Sequence, residues 1–116
     1  MTGRPWRDIL ASIGAAVDPD LGVTLAAAWV ANLSTPAILV VPVRRVVVHP
    51  TTTWEMALQV VTSLSGDDDD ALFDLLDVAL GALPAGVRSD GETTYGQDER
   101  AGGTYVVSTT TLTFAA

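Results

Sequence analysis

Residues 51–83 read TTTWEMALQVVTSLSGDDDDALFDLLDVALGAL, and the hydrophobic period changes once along them. In TTTWEMALQVVTSL (51–64), Trp54, Met56, Leu58 and Val60 fall on one side of an extended chain. Glu55, Ala57, Gln59 and Ser63 fall on the other. That period of two predicts a strand with one face on the core and one partly wet. Over 67–83 the spacing becomes helical. Leu72, Leu76, Ala79, Leu80 and Leu83 share a face that Phe73 and Leu75 broaden, while Asp70, Asp74 and Asp77 lie opposite. Pro84 and Gly86 should end this helix. A strand followed by an amphipathic helix able to cover it predicts an α+β domain.

Working outward, the chain before residue 51 supplies a first helix and two extended segments. Pro5 suits a first helical position, where its missing N–H costs nothing. Trp6, Ile9, Leu10, Ile13 and Val17 then recur at helical spacing, and Asp18–Pro19–Asp20 stops the run. Residues 21–33 mix Ala with Val23, Thr24, Trp29 and Val30, and read as an irregular strand. After a turn at Ser34–Thr35–Pro36, AILVV (37–41) is an apolar strand that bends at Pro42, continues through VRRVVVH (43–49) and ends at Pro50.

After residue 83 the pattern returns to strand. VRSDGETTYGQDERAGGTYVVSTTTLTF (87–114) reads as a β-hairpin with a Gly-rich, charged tip at 96–103, a loop longer than a tight turn needs. Val106, Leu112 and Phe114 alternate there with Tyr105, Val107 and the threonines at 109, 111 and 113. The expected fold is α+β: a mostly antiparallel sheet of about 4–6 strands, packed against an N-terminal and a central helix. With 116 residues and no repeat or linker, residues 1–116 read as one domain.

Composition removes several function classes. Cysteine and lysine are both absent, so thiolate, disulfide, Schiff-base and lysine-base chemistry are unavailable. The net charge of −8 opposes generic nucleic-acid binding, which neutralises phosphates with Lys and Arg. Residues 21–43 carry no charge, but ANLSTP (31–36) splits them into short pieces that suit strands better than a membrane-spanning helix. Arg4 and Arg7 precede an apolar run that is short and interrupted by Asp8, so a signal peptide is not expected.

Few residues concentrate chemistry. Asp67, Asp68, Asp69 and Asp70 could bind a hard cation. However, consecutive residues point in different directions, and the spaced ligand loop of an EF-hand is absent. Capping a helix start and forming a solvated acidic corner fits them better. His49, the single histidine, has no nucleophile-elbow motif to serve and reads as a polar strand end. Arg44 and Arg45 are adjacent in a strand, so one should face each side of the sheet, as a ligand anchor, an interface anchor or a structural ion pair. Trp6 and Trp54 fit core positions, whereas Trp29 has no assigned role. More strand surface is present than two helices can cover, and exposed edges are normally blocked or paired with another chain, which points to an oligomer.

The order of elements resembles a known family. An N-terminal helix precedes TPAILVVP (35–42), then WEMALQVVTSL (54–64), GDDDDALFDLLDVALGALP (66–84) and GGTYVVSTTTLTF (102–114). This is similar to the small tail terminator (tail completion, minor tail) proteins of long-tailed bacteriophages, over about residues 1–115. The resemblance implies a structural virion subunit, soluble in the host cytoplasm before assembly, with no cofactor and no reaction. Such subunits form a homo-oligomeric ring, usually a hexamer, that caps the tail tube and offers the joining surface to the neck of the capsid.

The implied partners are further copies, the tail tube protein and a neck or head-completion protein. DNA would pass through the ring without being held, and no membrane is involved. Only interface roles carry over. The hairpin tip from Tyr95 through Gln97 and Arg100 to Gly103 would reach the tube or a neighbour. Arg44 and Arg45 would pair with the acidic helix end of the next subunit, and Asp67–Asp70 would face the lumen or that neighbour. Rival expectations are another neck component, such as an adaptor or stopper, and a small-molecule-binding α+β domain. An enzyme would need His49 or the aspartates to converge with other partners.

Overall fold

A computed structural model describes residues 4–63, 69–100 and 103–115. The elements run α1 (Pro5–Ala16), a single 3-10 turn (Pro19–Leu21), β1 (Thr24–Ala26), β2 (Ala37–Val48), β3 (Thr51–Ser63), α2 (Asp69–Gly81), β4 (Val87–Arg100) and β5 (Gly103–Ala115). The five strands form one sheet in the order β1-β2-β3-β5-β4. β1 runs parallel to β2 and the other neighbours are antiparallel. The architecture is α+β, as the period change at residues 51–83 predicts. No helix among the described residues is long and apolar enough to cross a membrane.

The two helices cover one face of the sheet. Met56, Leu58 and Val60 of β3 are fully buried there, together with Ile38 and Val40 of β2 and Leu112 of β5. α1 contributes Ile9, Ile13 and Val17, and α2 contributes Leu72, Leu75, Leu76 and Ala79. Each fully buried Leu, Ile or Met stabilises the fold by about 1.5–3 kcal/mol relative to an exposed one. Trp6 and Trp54 flank this core with their rings 5.1 Å apart, edge to face. Pro5 opens α1 as its missing N–H allows. The chain after α1 closes on itself, with Asp18 accepting a hydrogen bond from the Asp20 N–H and Gly22 adopting a left-handed conformation.

Residues 21–33 are extended only from Thr24 to Ala26, a narrower strand than expected. The chain then crosses to the second face of the sheet and brings Trp29 and Leu33 onto it. There Leu33, Ala37, Leu39, Val61, Tyr105 and Val107 form a second buried cluster, flanked by Ala26, Trp29 and Val41. The face expected to be wet is therefore dry at one end, and AILV (37–40) is buried on both sides. A continuous apolar run carries that signal, whereas the strict alternation of β3 does not.

The C-terminal hairpin corrects the expectation of a long loop at 96–103. Pairing continues through Gln97–Val106 and Asp98–Tyr105 to Arg100–Gly103, so only residues 101 and 102 separate the strands. Residues 96–100 lack apolar alternation because β4 is an edge strand, and its ladder needs only backbone donors and acceptors. The edge itself is irregular. The register shifts between Ser89 and Thr93, where Ser89 Oγ accepts from the Gly91 N–H and Asp90 Oδ1 from the Glu92 N–H. Such a bulge, lined with carboxylates, blunts an edge against unwanted pairing.

Candidate interaction surface

The paired arginines leave β2 on opposite faces, as their adjacency requires. Arg44 stands opposite Glu55 and bridges it, Nη2 to Oε2 at 3.0 Å, with Nε donating to the same oxygen at 3.1 Å. Both side chains remain substantially exposed, so the pair contributes about 0–1 kcal/mol. Arg45 stands opposite Trp54, its guanidinium carbon 5.6 Å from the indole centroid. The structural ion pair is thus realised within the chain by Arg44, while Arg45 stacks.

The three residues expected at the hairpin tip are divided between faces. Tyr95 lies over the helix side, its ring 5.5 Å from that of Phe73, and Gln97 follows on that side two residues later. Phe73 does not broaden the buried face of α2; it is 48% exposed and makes this surface contact with Tyr95 instead. Arg100 lies on the other side, 3.9 Å above the Trp29 ring, and its Nε donates to Asp98 Oδ2 at 2.9 Å. The structure therefore does not gather Tyr95 and Arg100 into one site. Of the acidic run, Asp69 and Asp70 begin α2, while Asp67 and Asp68 lie outside the described residues.

A small polar cluster around Trp29 was not legible in the sequence. Trp29 Nε1 donates to Gln59 Oε1 at 2.9 Å, and Gln59 Nε2 donates to Thr109 Oγ1 at 3.3 Å. Tyr105 packs on the indole with ring centroids 5.7 Å apart. This arrangement anchors the crossing segment to β3 and β5 and satisfies a half-buried indole N–H. The one available signal was a tryptophan isolated in an Ala-rich stretch.

His49 sits exposed in the two-residue turn between β2 and β3. Among the described residues, no three His, Asp or Glu side chains are grouped to hold a metal ion. What the surface offers instead is shape and apolar area. Val43, Val46, Val47 and Val48 are exposed at one end of β2. Beside its other end, an open groove of ≈ 260 Å³ lies between α1, the 3-10 turn and α2, walled by Val17, Leu21, Pro36, Leu75 and Val78. Asp18 and Asp74 also line it. The described residues form an α+β domain with exposed valines at one end of β2 and an open apolar groove beside the other. No protein-family model and no curated protein matches the chain.

Proposed function

We propose that this chain is a structural subunit of a long-tailed bacteriophage virion, a tail terminator that assembles as a ring, six-fold by family resemblance, on the end of the tail tube. The observation that carries the reading is an apolar surplus on a finished domain. The core is closed by two helices on one face and the Trp29 segment on the other, yet a row of valines remains exposed on β2. Four exposed valines that nothing in their own chain covers support an association role. The order of elements that motivated the family resemblance also supports the reading: helix, long β2–β3 hairpin, acid-opened helix, final hairpin.

In this role the protein performs no reaction and holds no cofactor. Its partners are further copies, the tube protein and a neck or head-completion protein. Its acidic balance of −8 suits a ring that lets DNA pass without holding it. Mixing the purified protein with headless tail tubes tests the assignment. A terminator is expected to co-sediment with them and to appear as a ring at one tube end in electron micrographs. Binding to capsids alone would assign it instead to an adaptor or stopper.

One observation favours a second reading, a small-molecule-binding domain. The groove beside Leu21 and Val78 is apolar and open. That reading predicts a monomer whose melting temperature rises with an apolar ligand and whose mass does not change.

A further inference from the structure

The β2–β3 hairpin extends past the core as an arm. Beyond Trp54 none of its residues belongs to the buried clusters. Val46, Val47, Val48, His49, Pro50 and Thr51 are all exposed, Val47 at 57% and Val48 at 70%. Successive residues of a strand face opposite sides, so Val46 and Val48 present one apolar face and Val47 the other. Single exposed valines need no explanation, but three in succession at a hairpin end form a two-sided apolar tip. Arg44 and Arg45 stand at its base; Glu55 pairs with Arg44 there, which leaves the charge of Arg45 unbalanced, and no carboxylate lies further out in residues 46–53. In a chain of net charge −8, this is a locally basic, apolar projection.

The groove is its complement. It is apolar along Val17, Leu21, Pro36, Leu75 and Val78 and carries two carboxylates, Asp18 and Asp74. Its ≈ 260 Å³ suits valine side chains rather than a whole added strand. The two surfaces also lie apart. Pro36 adjoins the start of β2 and Val48 ends it, which at about 3.3 Å per residue places them roughly 40 Å from each other. The arm cannot reach the groove of its own copy.

We propose that the valine arm of one copy docks into the Leu21–Val78 groove of the next, with Arg45, the arginine not held by Glu55, facing the carboxylates of Asp18 and Asp74. The inference rests on the proposed self-assembly and supplies its contact. Because the two surfaces differ, the contact is head-to-tail, and repetition gives a ring if the rotation closes and an open chain if it does not. The Arg45 guanidinium suits this role, since it can present a fork of donors to a carboxylate.

Two variants, each blocked on one half of the contact, test the docking. Val47→Asp places a charge on the arm, and Leu21→Asp places one in the groove. Both positions are exposed, so both variants should fold, and unchanged circular dichroism and melting verify this. In sedimentation velocity the unsubstituted protein should associate, and each variant alone should be monomeric. An equimolar mixture of the two should form a dimer, twice the monomer mass and nothing larger, because one intact arm meets one intact groove. Arg45→Glu, at an exposed stacked position, should weaken association of the otherwise unsubstituted chain by at least about tenfold, as expected for a desolvated charge pair turned repulsive.

If the unsubstituted protein associates but the mixture stays monomeric, the arm–groove contact is overturned and the ring reading stands. If arm-dependent association yields chains that lengthen with concentration and never close, the contact is supported and the ring is overturned. An unsubstituted protein that remains monomeric at every concentration overturns the contact.

Discussion

Gly86 follows the Pro84–Ala85 turn with φ of 89°, and a Cβ added there would stand 3.3 Å from the Phe114 ring. An L side chain in that region costs roughly 1–2 kcal/mol. Gly86→Ala is therefore expected to lower stability by about that amount, read from the urea midpoint at unchanged m-value. Ser108 presents the opposite case. Its Oγ is fully buried among Val60 and Thr110 neighbours and finds no hydrogen-bond partner among the described residues. Thr110, two residues on, shares a 2.7 Å hydrogen bond with Thr93. Removing an unsatisfied hydroxyl relieves a desolvation cost, whereas removing one of a bonded pair strands the other. Ser108→Ala should leave stability unchanged or raise it by up to about 1 kcal/mol, and Thr110→Val should lower it by about 1–3 kcal/mol. The same unfolding measurement separates the two, and a loss at Ser108 as large as that at Thr110 would contradict this assignment.

At the scale of elements, the two faces of β3 should respond differently. Leu58 is fully buried beneath the helices, so Leu58→Ala should cost about 2–5 kcal/mol. Glu55 lies on the other face, exposed enough that Glu55→Ala should cost no more than about 1 kcal/mol with its Arg44 bridge lost. Denaturant unfolding of the two variants checks the contrast. This asymmetry was legible in the sequence because the alternation around Met56 is local, and so was α2, whose leucines repeat at 3.6. The Trp29 segment was not. Its burial depends on a chain crossing to the far face of the sheet and on a hydrogen bond to Gln59, thirty residues away. The length of β4 was hidden for a different reason. An exposed edge strand is held by its ladder to β5, and polar, Gly-containing sequence such as Tyr95–Arg100 leaves no apolar period to read. Of the expected interface residues, Arg44 and Arg45 were placed on opposite faces by adjacency alone. Tyr95 and Arg100 were grouped by nearness in sequence, and strand alternation separates them.

At the scale of the whole molecule, the extents of 47 × 27 × 23 Å belong to a domain drawn out along its hairpins rather than rounded. The elongation places the basic, apolar arm at one end of β2 and the acidic-rimmed groove at the other. The proposed head-to-tail contact between these ends would account for the exposed valines and the local charge reversal of the arm. It would also account for an apolar groove left uncovered on an otherwise closed core. With that contact, a subunit is expected to complete its apolar surface only by meeting another copy. Native mass spectrometry across a concentration series tests that claim most directly. The predicted result is a closed species at six times the 12.1 kDa chain mass, with no larger species as concentration rises. A monomer at every concentration, or a species that stops at a two-fold dimer, would contradict it.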